Sequence, residues 1–316
     1  MKLKTDSAAS FSSSEGLAFG FIGVLGFSFT LPATRLAVAS IDPVIVGLGR
    51  ALIAASLAAP LLLVTRQKMP ERRQWLSILI VAIGVVVGFP MLTALAMRQL
   101  PASHGAVVLG LLPFATAIAG AIRAHERPSN LFWFASASGS FAVIAYALSM
   151  GGGSFHLADF ALIGAVICAA LGYAEGARLA REIGGWQVIC WALLASVPFL
   201  IGPVCFKVWQ HGLVAKPSAW FGFAYVSIVS MFLAFFAWYR GLAMGGVARV
   251  SQLQLLQPFL TLGFATLFLG ERFSLGAFLS SSVVVTSIFV SRRSQVVSAR
   301  SERPKIDSLG RASARR

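Results

Sequence analysis

Residues 112–129 read LPFATAIAGAIRAHERPS, and residues 257–274 read QPFLTLGFATLFLGERFS. Pro113-Phe114, Thr116, Glu126-Arg127 and Ser129 in the first stretch recur as Pro258-Phe259, Thr261, Glu271-Arg272 and Ser274 in the second, each 145 positions later. Trp75 and Trp220 share that offset, and Arg35-Leu36-Ala37 recurs as Arg178-Leu179-Ala180 at an offset of 143. Chance readily supplies one such match but not a run of them in fixed order. The small drift in offset is what a change of loop length between two copies produces. The chain therefore repeats one unit.

That unit belongs in lipid. Of the 316 residues 57% are hydrophobic and only 12% charged, and the mean hydropathy is +0.81. A water-soluble globule needs more polar surface than this composition supplies. Ten apolar segments can be cut at about 17–39, 44–64, 75–97, 102–122, 130–149, 157–177, 186–206, 218–239, 246–269 and 273–291, each near the twenty or so residues that cross a ~30 Å hydrocarbon core. Turn and charge signals separate them: Asp42-Pro43, the cluster from Arg66 to Arg73, Leu100-Pro101, Arg127-Pro128, Gly151-Gly152-Gly153 and Lys216-Pro217. The first segment exceeds the short apolar core of a secretory signal and is read as a retained span.

Orientation follows from the cations. With the N-terminus inside, nineteen Lys and Arg fall on the cytoplasmic side, and Arg98, Lys207, Lys216 and Arg272 are the four that fall outside. Such a bias puts both termini in the cytoplasm of a multi-pass inner (cytoplasmic) membrane protein. Residues 1–16 are then a cytoplasmic N-terminal tail. Residues 17–149 and 157–291 are the two repeats, and 292–316 is a basic, Ser-rich tail without a fold of its own. Its charge suits anionic lipid, and nucleic acid is not an expected partner.

Five spans per copy is an odd number, so the second copy enters the membrane upside down. The expected fold class is all-α integral membrane, with ten transmembrane helices in two inverted five-helix repeats. Inverted repeats allow one site to open to either side, which is a transporter's requirement. Gly16, Gly20, Gly23 and Gly26 make a small-residue stripe, and Gly84/Gly88, Gly172/Gly176 and Gly241/Gly245 form GxxxG pairs that let helices approach closely.

With these features the chain resembles the EamA-type members of the drug/metabolite transporter superfamily. The resemblance is carried by Leu31-Pro32-Ala33-Thr34-Arg35, Arg50, the stretch from Leu112-Pro113 to Glu126-Arg127, and the stretch from Gln257-Pro258 to Gly270-Glu271-Arg272. It covers about residues 17–291 and implies ten helices in two copies of a five-helix unit. Family members resembling one another this closely carry different small solutes, so the substrate is not implied. The first copy departs from the pattern at Arg123-Ala124-His125-Glu126-Arg127.

Polar groups inside spans mark candidate sites. Arg50 corresponds to Leu193 in the other copy; it is either a cation facing a central cavity or an arginine snorkelling to the interface. Gln254 and Gln257 lie three apart with Thr261 one turn on, suited to lining a pore or to gluing helices together. Tyr173 and Trp238 are candidate cavity walls, although span-end aromatics usually form interfacial belts. Glu175 is a candidate proton-coupling acid, with a local ion pair to Arg178 the preferred alternative.

No catalytic constellation and no metal motif is visible: the histidines are scattered, and Cys168, Cys190 and Cys205 read as small buried hydrophobes. The expected function is a secondary transporter, without cofactor or metal, moving a small organic metabolite or drug by alternating access, with export as the expected direction. A polytopic membrane enzyme and a non-transporting scaffold or sensor are the alternatives. Expected partners are a small-molecule substrate and membrane lipid, with a homodimer left open.

Overall fold

In hydrocarbon every backbone N–H and C=O must be paired within the protein, so long apolar runs fold as helices. The computed structural model describes residues 5–100, 102–123, 126–149, 157–269, 286 and 296–298. In the first repeat, α1 spans Thr5–Ser28 and α2 Thr30–Val38. A π-helical turn at Ile45–Gly49 leads into α3 (Arg50–Val64). The third span is α4 (Trp75–Val81), a π segment at Ala82–Gly88, and α5 (Phe89–Gln99). Two helices, α6 (Ala102–Leu109) and α7 (Leu112–Arg123), precede the short β1 (Glu126–Pro128) and α8 (Asn130–Ser149).

In the second repeat, α9 spans Leu157–Ile183 and α10 Gly185–His211. The next span runs through α11 (Pro217–Ala224), a π segment at Tyr225–Leu233 and α12 (Ala234–Gly245). It is followed by α13 (Val247–Ser251), a 3-10 turn at Gln252–Leu256 and α14 (Gln257–Leu269). A last short strand, β2 (Val296–Ser298), pairs antiparallel with β1.

Six helices among the described residues are long and apolar enough to cross a bilayer: Ser14–Val38, Ile45–Val64, Arg72–Gln99, Ala158–Ile183, Gly185–His211 and Pro217–Gly245. The protein is a multi-pass helical membrane protein. The span expected at 273–291 lies outside the described residues apart from Thr286. Two expectations about the ends shift. Helix α1 begins at Thr5 rather than at the apolar boundary near Leu17, because the Ala- and Ser-containing segment before it continues the helix beyond the apolar run. In the basic tail, Val296–Ser298 has found a strand partner in Glu126–Pro128.

The two copies pack reciprocally. The first span of the first repeat lies antiparallel along the third span of the second, α1 against α12 and α2 against α11. The converse pairing places α9 against α5 and α4, and α3 packs on its own repeat counterpart, α10. Close approach at the first of these seams depends on glycine. A Cβ on Gly241 would lie 2.6 Å from the Gly20 nitrogen, and one on Gly16 would lie 2.5 Å from the Gly245 nitrogen.

The three cysteines are free. Cys190 is buried as expected, Cys168 is half-buried, and Cys205 is exposed instead, one residue before the exposed Phe206. An apolar context does not separate core from lipid-facing positions when both environments are apolar.

Candidate functional site

Arg50 opens α3 directly after the π turn at Ile45–Gly49. It is 1% exposed, and no hydrogen bond or ion pair joins its guanidinium to any described residue; its Nε is buried without an acceptor. A charge held out of water ordinarily has a partner. Here it lines a small cavity of about 20 Å³ enclosed by both repeats.

The cavity wall is built from irregular backbone. Val85 lies in the π segment of the first repeat's third span, and Ser230, its counterpart 145 residues on, lies in that of the second. π turns within α-helices recur at functional sites, where the extra residue re-aims the side chains around it. The helices that follow the third span of each repeat also break at equivalent places. In the first repeat α6 ends at Leu109, the Leu111 amide turns back to the Val108 carbonyl, and α7 restarts just before Pro113. In the second, the helix tightens to 3-10 over Gln252–Leu256 just before Pro258, and the Gln257 amide bonds the Gln254 carbonyl. Leu112 and Gln257, one residue before each proline, both face the cavity. Paired interruptions of this kind mark solute sites between repeats.

The remaining wall is mostly aromatic. Phe27, Phe89, Tyr173 and Phe235 line the cavity, with the Phe27 and Tyr173 rings stacked 6.4 Å apart and Phe27 edge-on to Phe235 at 5.0 Å. Thr30 and Ser230 share a hydroxyl–hydroxyl hydrogen bond of 2.8 Å across the two repeats. Of the residues singled out in the sequence, the structure thus brings together Arg50, Tyr173 and Gln257.

The others lie elsewhere. Thr261 donates from its Oγ1 to the Ser28 carbonyl at 2.6 Å. Pro32, four residues beyond Ser28, has no N–H to give that carbonyl. The hydroxyl therefore completes the kink between α1 and α2. Trp238 is fully buried behind the wall, its ring 5.4 Å from Tyr173 and 6.0 Å from Phe27. Gln254 is 2% exposed with neither amide atom partnered, outside the cavity lining. Its neighbour Gln252 donates to Ser136 of α8 at 3.1 Å.

Glu175 is buried on α9 between two guanidinium groups. Arg123 of α7 reaches its Oε2 at 2.9 Å, and Arg178 of its own helix reaches Oε1 at 2.8 Å. Arg178 also donates to Ser77 of α4 and pairs with Glu182 at 2.9 Å. This network ties three helix ends together, two residues along α9 from Tyr173. Arg35, the repeat counterpart of Arg178, caps α5 by donating to the Met97 and Leu100 carbonyls.

Sequence reasoning passed over Phe27, Thr30, Phe89, Ser230 and Phe235. For Ser230 a signal existed: it is the polar member of a repeat pair whose other member is Val85, as Gln257 is opposite Leu112 and Arg50 opposite Leu193. The phenylalanines carried no signal, since lipid-facing and cavity-facing phenylalanines look alike in sequence.

One cation, three hydroxyls (Thr30, Ser230 and the Tyr173 phenol), an amide and four aromatic rings can hold a solute. No group of three or more metal-ligating side chains occurs among the described residues. A multi-pass helical protein with two sequence-related halves enclosing such a cavity is a membrane transporter in class. A model of the EamA-like transporter family matches residues 14–148 and 156–293, once in each half. The chain belongs to the EamA-like transporter family. It is similar to "Uncharacterized transporter YdeK" of Bacillus subtilis (strain 168), 46% identical over 279 residues that cover 88% of this chain and 97% of that one. A solved crystal structure shares the fold with a TM-score of 0.73 at 17% identity, covering 88% of this chain and 98% of the other.

Proposed function

We propose that the chain is a secondary transporter moving a small organic solute across the cytoplasmic membrane by alternating access, with export as its working direction. In this reading ten spans form two inverted repeats, both termini are cytoplasmic, and the Arg50 cavity is the solute site. The observation that carries it is Arg50 itself: a buried guanidinium with no described partner, facing a cavity that both halves enclose. The reciprocal packing of each first span on the opposite third span supports an exchange of roles between halves. Tyr173 and Gln257 complete the site from the second repeat.

The test is reconstitution. Purified protein in liposomes should exchange a labelled small organic solute against the same solute inside, at a rate well above protein-free liposomes, and Arg50→Gln should remove that exchange. Bond cleavage without translocation, or exchange indifferent to Arg50, would overturn the reading.

A further inference from the structure

We propose that the solute held at Arg50 is a small organic monocarboxylate with an aromatic or branched apolar body, and that the site discriminates against amines, zwitterionic amino acids and phosphate esters. This rests on reading the cavity as the transport site. Among the described residues lining it, Arg50 is the single charged group and no acid accompanies it. One guanidinium with free N–H groups matches one carboxylate, through two parallel charge-assisted hydrogen bonds. A phosphate ester in its dianionic form would leave a net negative charge in a site that excludes water, where an uncompensated charge is costly.

An ammonium group meets the opposite difficulty. The acid nearest along the wall-forming helices is Glu175, two residues beyond Tyr173, and both its oxygens are engaged by Arg123 and Arg178. The Thr30 and Ser230 hydroxyls are bonded to each other, which leaves the Gln257 amide and the Tyr173 hydroxyl as the other polar groups lining the cavity with Arg50. The body of the solute meets Phe27, Phe89, Tyr173 and Phe235. In this state the cavity is tight, about 20 Å³, so a bound solute is accommodated as these rings part.

Compounds that share one ring and differ in the head group test this directly. Full-length protein in detergent is titrated with 3-phenylpropionate, phenylalanine, phenethylamine, 3-phenylpropionamide and phenyl phosphate at constant pH and ionic strength, with binding read by thermal unfolding. 4-Methylpentanoate serves as a non-aromatic carboxylate. One of the two carboxylates should raise Tm and bind at least tenfold more tightly than the amine, the amide, the amino acid or the phosphate, and Arg50→Gln should remove that preference. Comparable binding by the amine or the amide, an unchanged preference in Arg50→Gln, or no shift with either carboxylate would overturn the assignment. The ligand ranking is measured on the wild-type protein, so it stands even if Arg50→Gln folds poorly. Liposome exchange separates this assignment from the one it rests on. Carboxylates that bind through Arg50 but never cross would sink the transport reading alone, and exchange of amines with carboxylates inert would sink the monocarboxylate alone.

Discussion

A guanidinium costs up to about 2.5–3.5 kcal/mol to insert in a membrane helix; Arg50 lies within the Ile45–Val64 span, and the other repeat fills the equivalent place with Leu193, which is fully buried. The fold tolerates an apolar side chain there, so the charge serves something other than folding. Arg50→Leu is expected to raise the unfolding temperature of the ligand-free protein while lowering solute exchange at least a hundredfold. A lower melting temperature with exchange intact would show that Arg50 is structural. Thr261 is the contrasting case. Its counterpart Thr116 is shared by both repeats, yet Thr116 is buried without a partner while Thr261 satisfies the Ser28 carbonyl. The difference traces to Pro32, because α9 carries no proline and leaves no such carbonyl open. Residue identity and spacing marked Thr261 as polar and inward. Which backbone group it meets depends on a helix more than two hundred residues away, beyond the reach of local pattern.

At the scale of elements, the spans are made irregular where the cavity lies and regular elsewhere. Pro113 and Pro258 follow the breaks in the helices after the third span of each repeat, where the sequence reads as uninterrupted over 102–122 and 246–269. The π segments at Ala82–Gly88 and Tyr225–Leu233 were not announced, since a π turn reflects accommodation between packed helices rather than a residue preference. Glycine patterns were more legible. The stripe on α1 and the pair on α12 do meet, and Gly241 has backbone on the far side of the space a Cβ would need. Gly241→Leu should therefore part α1 from α12 and destabilise by about 1–3 kcal/mol or more. Gly202→Leu, with nothing within 4 Å of its Cβ position, should be close to neutral. Equal melting temperatures for the two variants would contradict the close seam. The Glu175 network is an element-scale device as well: Arg123, Arg178 and Ser77 join α7, α9 and α4 across the two repeats. A carboxylate so engaged is placed to hold those helix ends together while the cavity is closed beside them.

The whole molecule shows why the internal repeat was the most informative signal in the sequence. Reciprocal packing follows from duplication, and what distinguishes the halves is chemistry: Arg50 against Leu193, Ser230 against Val85, Gln257 against Leu112. Pseudo-symmetry gives the halves a common frame, and these departures from it, Arg50, Ser230 and Gln257, all line the one cavity described above. Composition established the membrane class and offset matching established the repeat, but the aromatic wall stayed hidden because apolar solvent and apolar interior demand the same residues. The account's central claim is that this one cavity opens to each side in turn. The direct measurement places a cysteine in its wall, Ser230→Cys, in a protein whose Cys168, Cys190 and Cys205 have been replaced, and follows labelling by a charged, membrane-impermeant thiol reagent in right-side-out and inside-out vesicles. The account predicts labelling from both sides; labelling from one side only, or from neither, would contradict it.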